Sequence, residues 1–119
     1  MATTVVVVDD HVGFRRMARR MLEDAGFVVV DEAADGASAL ESIAALGPEL
    51  VLMDIQLPDL DGFAVSRRLA DSGATAAVIL TSSRSGSDYG PRLATSPAIG
   101  FIAKADLSGP AVTELLQSA

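Results

Sequence analysis

Residues 5–10 read VVVVDD and residues 50–54 read LVLMD, so two apolar runs of this chain each end in aspartate. Short runs of valine and leucine predict buried strands of a parallel sheet, which places these carboxylates at the C-terminal ends of their strands. If the two strands are neighbours, Asp9, Asp10 and Asp54 form one cluster. Crowded carboxylates resist ionising together, so such a cluster indicates a bound divalent cation or a special chemical task.

Length and composition predict one globular domain, residues 1–119. Half of the residues are apolar and 21% are charged, which is the balance of an ordinary folded domain. No segment approaches the roughly 20 apolar residues needed to cross a bilayer, and the N-terminus lacks a basic region followed by an apolar stretch. We therefore expect a cytoplasmic protein without a membrane partner. The absence of cysteine removes disulfides, thiolate metal sites and thiol nucleophiles.

The formal net charge of −7 argues against direct nucleic-acid binding by this domain, because neutralising phosphates requires a basic surface. Basic residues concentrate in one predicted helix, at Arg15, Arg16, Arg19 and Arg20. A solvated helix face is the favoured interpretation of these four arginines. A docking surface for an acidic partner is the alternative.

Strand-like and helix-like segments alternate along the whole chain. The first helix is predicted from apolar residues at helical spacing between Phe14 and Ala25, Met17 among them, and it ends at Gly26. Asp35 and Asp61 are expected to open the second and third helices, and Asp106 or Ser108 the last. The five predicted strands are residues 4–9, 27–31, 50–54, 77–81 and 99–103.

The connection formed by residues 82–98 differs from the others because glycine and proline interrupt it. Its only good helical piece is residues 91–95, so we predict a short or irregular fourth helix. Two explanations remain open. Either the sequence varies freely here because a surface segment tolerates change, or the segment is kept loosely packed because it moves.

Strict alternation predicts an α/β fold with a doubly wound, five-stranded parallel sheet in the order 2-1-3-4-5. In that order the first and third strands are adjacent, and the crevice at their carboxyl ends is the usual ligand site. Asp9, Asp10 and Asp54 would converge there, with Thr81 and Lys104 on the same rim.

Three carboxylates on one rim form a hard, oxygen-rich site that suits Mg²⁺, and Lys104 and Thr81 could both contact a phosphoryl group. A magnesium site beside a cation and a hydroxyl donor is typical of phosphoryl transfer. Asp54 stands alone at the end of the more central strand and is the candidate acceptor, since a carboxylate can form an acyl phosphate. His11 is expected to be the first residue of the helix and not a ligand.

Four segments in order resemble the receiver domain of two-component response regulators, and the resemblance spans essentially the whole chain. The resemblance implies a flavodoxin-like (βα)5 fold and a signalling domain, not an enzyme. It further implies that Asp54 accepts a phosphoryl group from the phosphohistidine of a sensor histidine kinase or phosphotransfer protein. The segments are VVVVDDH at 5–11, LVLMDIQLPDLDG at 50–62, VILTSS at 78–83 and GFIAK at 100–104.

The same resemblance implies the roles of the other site residues. Mg²⁺, with Mn²⁺ as the alternative ion, would be bound by Asp9, Asp10, Asp54 and the backbone carbonyl of Gln56. Thr81 and Lys104 would contact the phosphoryl oxygens. Phe101 matches the position of an aromatic switch residue whose ring moves inward as the threonine shifts.

Residues 87–104 resemble receivers that precede a helix-turn-helix DNA-binding domain, which implies control of transcription and a homodimer through the last helix. The surface that changes on phosphorylation would be formed by the fourth helix, the fifth strand and the fifth helix.

Receivers commonly carry proline after the lysine, but Ala105 occupies this position here. A cis bond without proline costs about 2.5 to 4 kcal/mol, so a trans bond is expected.

Two other functions remain open at this point. An aspartyl-phosphate phosphohydrolase usually carries a second aspartate two residues after its nucleophile as general acid, but Gln56 occupies that position. A receiver-like module with a vestigial site would not bind Mg²⁺. Nucleotide sites of the GxxxxGK and GxGxxG types are not indicated, because neither motif occurs.

Overall fold

The computed structural model describes residues 2–119, in which five strands alternate with five helices. Short 3₁₀ turns cover Gly86–Asp88 and Lys104–Asp106. The strands are β1 (Thr4–Val8), β2 (Val28–Ala33), β3 (Leu50–Asp54), β4 (Ala77–Ser82) and β5 (Gly100–Ala103). The helices are α1 (Val12–Asp24), α2 (Gly36–Leu46), α3 (Gly62–Asp71), α4 (Pro91–Thr95) and α5 (Gly109–Ser118).

All neighbouring strands are parallel, and their order is β2-β1-β3-β4-β5, which confirms the predicted topology. Val8 pairs with Met53 at the ends of β1 and β3, and Asp54 pairs with Thr81 across β3 and β4. Successive side chains of a strand point to opposite faces, so β1 and β3 supply both faces of the sheet with buried side chains. Val6, Val8, Val51 and Met53 belong to one core cluster, and Val5, Val7, Leu50 and Leu52 belong to the other.

Helix starts follow the predicted capping residues. The side chains of Asp35 and Asp61 accept hydrogen bonds from the backbone N–H groups of Ser38 and Ala64, as N-caps do. Ser108 caps α5, which decides between the two predicted candidates, since Asp106 lies in the preceding 3₁₀ turn.

The second strand extends two residues beyond the prediction and ends at Ala33. It does so because the register between β1 and β2 shifts at Val5 and Val6, which brings Ala33 opposite Val8. The N–H of Asp9 then donates to the Ala33 carbonyl. This bond anchors the residue that follows β1.

The fourth helix is short, as predicted, and within residues 2–119 every peptide bond is trans, including the bond before Ala105. Met17 belongs to the apolar residues that predict α1, and such a residue is expected to be buried, but the structure leaves it 46% exposed. In the described part of the chain, no helix is long and apolar enough to span a bilayer.

Candidate functional site

Asp54 ends the central strand β3 and is 97% buried, with a relative exposure of 3%. Its Oδ1 accepts a hydrogen bond of 3.1 Å from the backbone N–H of Gln56. Its Oδ2 lies 3.3 Å from Nζ of Lys104. The structure therefore brings together the predicted acceptor and the chain's only lysine, fifty positions apart in sequence.

Asp9 and Asp10 follow β1 and differ in exposure. Asp9 is fully buried, and its Oδ1 accepts a 2.8 Å hydrogen bond from the N–H of His11. Asp10 is exposed, and its Oδ1 lies 3.0 Å from Nδ1 of His11. His11 is the N-cap of α1 and not its first helical residue, and its imidazole joins the acidic cluster.

One possible ligand atom from each of Asp9, Asp10, His11 and Asp54 lies within 4.8 Å of all the others. Carboxylate oxygens are the donors that Mg²⁺ prefers, so the donor chemistry of the three aspartates fits this ion. An imidazole suits softer divalent ions better. The cluster therefore fits a hard divalent cation held mainly by carboxylates.

Lys104 lies between two of these carboxylates. Its Nζ is 2.6 Å from Oδ2 of Asp9, which makes a short ion pair. The ammonium also lies 4.2 Å from the ring centroid of Phe14. Burial alone lowers the pKa of Lys104, but the contacts with Asp9 and Asp54 outweigh it and leave the pKa raised. The side chain is thus a permanent cation at neutral pH.

Burial raises the pKa of Asp54 from 3.8 to about 6. The hydrogen bond from Gln56 and the charge of Lys104 oppose this rise, whereas the negative charge of Asp9 adds to it. The two buried carboxylates share one nearby ammonium, so their charges are incompletely balanced. An additional cation at this place would relieve the imbalance.

Thr81 lies beside Asp54 in the pairing of β3 with β4 and is fully buried. Its carbonyl accepts a 2.9 Å hydrogen bond from the N–H of Ile55. Its hydroxyl, however, meets no hydrogen-bond partner among residues 2–119. A buried hydroxyl without a partner is costly, which is why such groups commonly belong to functional sites.

The connection from β3 to α3 turns back tightly against the strand. The N–H of Gly62 donates to the carbonyl of Ile55 at 2.8 Å. A Cβ atom at Gly62 would lie only 2.6 Å from the backbone oxygen of Asp54. Gln56 lies in this connection, directly after Ile55, and is exposed.

Phe101 is partly buried on β5, and its ring centroid lies 6.0 Å from that of Tyr89. Sequence reasoning missed Tyr89, whose hydroxyl lies 2.6 Å from Oγ of Ser82 at the end of β4. A single tyrosine in an irregular segment carries no local pattern that could have revealed this contact.

Two of the four arginines on α1 are not a solvated face, so that prediction is wrong for Arg15 and Arg19. Both contact Glu32 of β2, at 3.1 Å and 2.7 Å respectively. Arg15 also donates from Nη1 to the backbone carbonyl of Asp9 at 2.6 Å. Arg16 and Arg20 are exposed, because each is one position further along the helix and is turned away from Glu32 by about 100°.

Arg15→Ala is expected to lower the free energy of unfolding by roughly 1 to 2 kcal/mol, because it removes charge-assisted hydrogen bonds from a partly buried group. Arg16→Ala is the matched control, since Arg16 is its exposed neighbour on the same helix. Urea denaturation at neutral pH measures both. Equal stability of the two variants would show that the contacts of Arg15 contribute nothing net.

Comparison with known proteins identifies the family. The family model described as the response regulator receiver domain matches residues 5–113. A Pseudomonas aeruginosa protein described as a transcriptional regulator is 34% identical over 100 residues, which cover 84% of this chain and 48% of that protein. A protein-glutamate methylesterase/protein-glutamine glutaminase of Myxococcus xanthus is 44% identical over 80 residues, covering 66% and 23%.

Among solved structures, the signal receiver domain of the response regulator NarL from Mycobacterium tuberculosis superposes with a TM-score of 0.87. It is 31% identical and the match covers 98% of this chain and 94% of that chain. The chain spans about half the length of the Pseudomonas relative and less than a quarter of the methylesterase. The match over nearly all of the sheet and helices, together with the sequence identity, establishes that this chain belongs to the response regulator receiver domain family.

Proposed function

We propose that this domain is a phosphorylation-dependent signalling switch in which Asp54 is the phosphoacceptor. The observation that carries the proposal is the surroundings of Asp54: Lys104 lies 3.3 Å from one carboxylate oxygen, and the adjacent Thr81 holds a buried hydroxyl without a partner among the described residues. A phosphoryl group on Asp54 would supply oxygens that both side chains can bind.

The proposed donor is a phosphohistidine of a sensor histidine kinase or phosphotransfer protein. A carboxylate oxygen of Asp54 forms a bond to phosphorus as the bond from phosphorus to the histidine nitrogen breaks. The ring nitrogen leaves with the electron pair of the broken bond and takes a proton from solvent, which restores a neutral imidazole. Lys104 neutralises charge on the transferring oxygens, and the hydroxyl of Thr81 donates to one of them, so positioning and charge neutralisation do most of the work.

Asp9, Asp10 and Asp54, with the backbone carbonyl of Gln56, are the proposed ligands of Mg²⁺. A bound Mg²⁺ ion would add positive charge next to the phosphoryl oxygens. Asp9 is held for this role by the N–H of His11 and by the ion pair with Lys104. Asp10 is the exposed member of the pair and the one that solvent reaches.

The proposed output is transcription, controlled through a change in the surface formed by α4, β5 and α5. The similarity to a protein described as a transcriptional regulator supports this output. A homodimer through α5 is part of the same proposal. The domain itself is not proposed to bind nucleic acid, in keeping with its net charge of −7.

Incubation of the chain with acetyl phosphate and Mg²⁺ is expected to add the mass of one phosphoryl group, and fragmentation is expected to place it on Asp54. Omission of Mg²⁺ should reduce the yield strongly, because two buried carboxylates repel the incoming phosphoryl group. Intact-protein mass spectrometry measures the result. Sizing chromatography of the same samples tests the dimer.

Asp71→Asn is the control variant, since Asp71 is an exposed carboxylate at the end of α3. It should accept the phosphoryl group as wild type does. The same added mass on Asp54→Ala would refute the assignment of the acceptor. Steady turnover of a small phosphate ester would instead favour a phosphohydrolase, and absence of both phosphorylation and Mg²⁺ binding would favour a vestigial site.

A further inference from the structure

The only tyrosine of the chain is tied to the end of the strand that carries Thr81. Oη of Tyr89 lies 2.6 Å from Oγ of Ser82, within the normal range of a hydrogen bond between hydroxyl groups. Ser82 is fully buried and directly follows Thr81, and its Oγ also accepts a 3.1 Å hydrogen bond from the N–H of Arg84. The hydrogen bond between the side chains of Ser82 and Tyr89 therefore joins the two ends of residues 82–89, here named the 82–89 segment.

The ring of Tyr89 lies between two other aromatic rings. Its centroid is 5.7 Å from that of Phe63 on α3 and 6.0 Å from that of Phe101 on β5. The two phenylalanines have no hydroxyl, so within this cluster only Tyr89 can join ring packing to a hydrogen bond at the end of β4. A movement of either phenylalanine ring, or of the end of β4, would therefore change a contact of the Tyr89 side chain.

The 82–89 segment also covers Phe101. A Cβ atom built on Gly86 would lie 3.3 Å from Cδ1 of Phe101 and 3.5 Å from Cδ1 of Leu93, so the backbone at Gly86 rests on the Phe101 ring. A movement of the Phe101 ring toward Gly86 would displace this turn. If the backbone around Gly86 moved, the hydrogen bond between Tyr89 and Ser82 would be strained.

Resting on the proposed function, we propose that Tyr89 is a positioning residue of the phosphoacceptor site. Its hydrogen bond to Ser82 stabilises the unphosphorylated arrangement of the 82–89 segment. When a phosphoryl group on Asp54 draws the hydroxyl of Thr81 toward itself, Ser82 moves with its neighbour and the bond to Tyr89 is lost. The bond of Tyr89 therefore opposes the change to the phosphorylated arrangement, and its loss marks that the change has taken place.

Tyr89→Phe and Ser82→Ala each remove this hydrogen bond, and both are expected to bind beryllofluoride, a mimic of the phosphoryl group, about threefold to tenfold more tightly in the presence of Mg²⁺. The double variant should gain no more than either single variant, because both remove one interaction. Fluorine NMR of bound beryllofluoride on the 119-residue chain measures the affinities. Ser82→Ala keeps the experiment decisive if Tyr89→Phe folds poorly.

Ser87→Ala is the matched control, because it removes an exposed hydroxyl bond of 2.8 Å to Ser85 in the same segment. It should leave the affinity unchanged. Equal affinity of wild type, Tyr89→Phe and Ser82→Ala would overturn the proposal, since a merely structural bond stabilises both arrangements equally.

Tyrosine fluorescence gives a second readout, because the chain has one tyrosine and no tryptophan. We expect beryllofluoride with Mg²⁺ to change the emission of Tyr89 in wild type, and to leave it unchanged in Asp54→Asn. Phosphorylation of Asp54 detected by mass without any change in Tyr89 emission would overturn this inference and leave the proposed function standing. Failure of wild type both to bind beryllofluoride and to gain mass would overturn the proposed function itself.

Discussion

Asp54→Asn is expected to abolish phosphoryl acceptance and, at the same time, to raise the free energy of unfolding at pH 7 by about 2 to 3 kcal/mol. The gain arises because burial raises the pKa of Asp54 from 3.8 to about 6. At neutral pH the folded protein therefore holds an ionised carboxylate in a place that disfavours its charge. Asparagine is nearly isosteric and has no charge to bury.

The dependence on pH has a definite sign. Between about pH 4 and pH 6 the folded wild type binds more protons than the unfolded chain, so its stability falls as the pH rises through this window. Below about pH 4 the carboxyl group is neutral in both states, and the advantage of Asp54→Asn should vanish. Above about pH 6 the advantage should reach its full value.

Urea denaturation of wild type and Asp54→Asn across this pH range measures the effect. Asp71→Asn serves as the control because Asp71 is exposed. An advantage of Asp54→Asn that did not depend on pH would point to packing as its cause, not charge. A loss of stability at pH 7 would show that the ion pair with Lys104 outweighs the cost of burial.

Gly62→Ala is expected to destabilise the protein by about 2 kcal/mol, although alanine ordinarily favours helices. Its Cβ would lie 2.6 Å from the backbone oxygen of Asp54 and 2.9 Å from Cα of Ile55. Both are backbone atoms that cannot rotate away. The connection from β3 to α3 would have to move outward, which displaces Gln56 and weakens the hydrogen bond from its N–H to Asp54.

Gly13→Ala is the matched control for this substitution. Gly13 also lies in the first turn of a helix, but a Cβ atom there would meet no atom of residues 2–119 within 4 Å. Alanine at this position should be neutral or stabilise α1 by up to about 1 kcal/mol. Chemical denaturation compares the two variants, and equal midpoints for Gly62→Ala and wild type would contradict the close approach.

Much of the fold could be predicted because it depends on local patterns. Apolar runs located the strands to within two residues, and capping residues such as Asp35 and Asp61 located the helix starts. Alternation of strands and helices restricts the topology to few arrangements, because crossovers are right-handed and consecutive elements pack together. The strand ends then placed Asp9 and Asp54 on one rim.

The contacts that decide the site's electrostatics are not local. Lys104 pairs with Asp9 and Asp54, which both lie far from it along the chain, at 2.6 Å and 3.3 Å. Arg15 could be assigned to a helix, but its burial against Glu32 depends on how α1 lies on β2. The run of charge in one helix therefore predicted a solvated face, which is wrong for Arg15 and Arg19 and holds for Arg16 and Arg20.

By itself, the sequence determined the elements, their order and the set of residues at the carboxyl edge of the sheet, since these follow from spacing along the chain. Only the tertiary structure decided which of those side chains are buried together. On this depend the raised pKa of Asp54, the Thr81 hydroxyl that has no hydrogen-bond partner among the described residues, and the bond between Tyr89 and Ser82. The physical reason is that burial and hydrogen-bond geometry depend on distances of a few ångströms between separate elements. Strand register and helix packing set those distances, and the spacing of residues along one segment does not contain them.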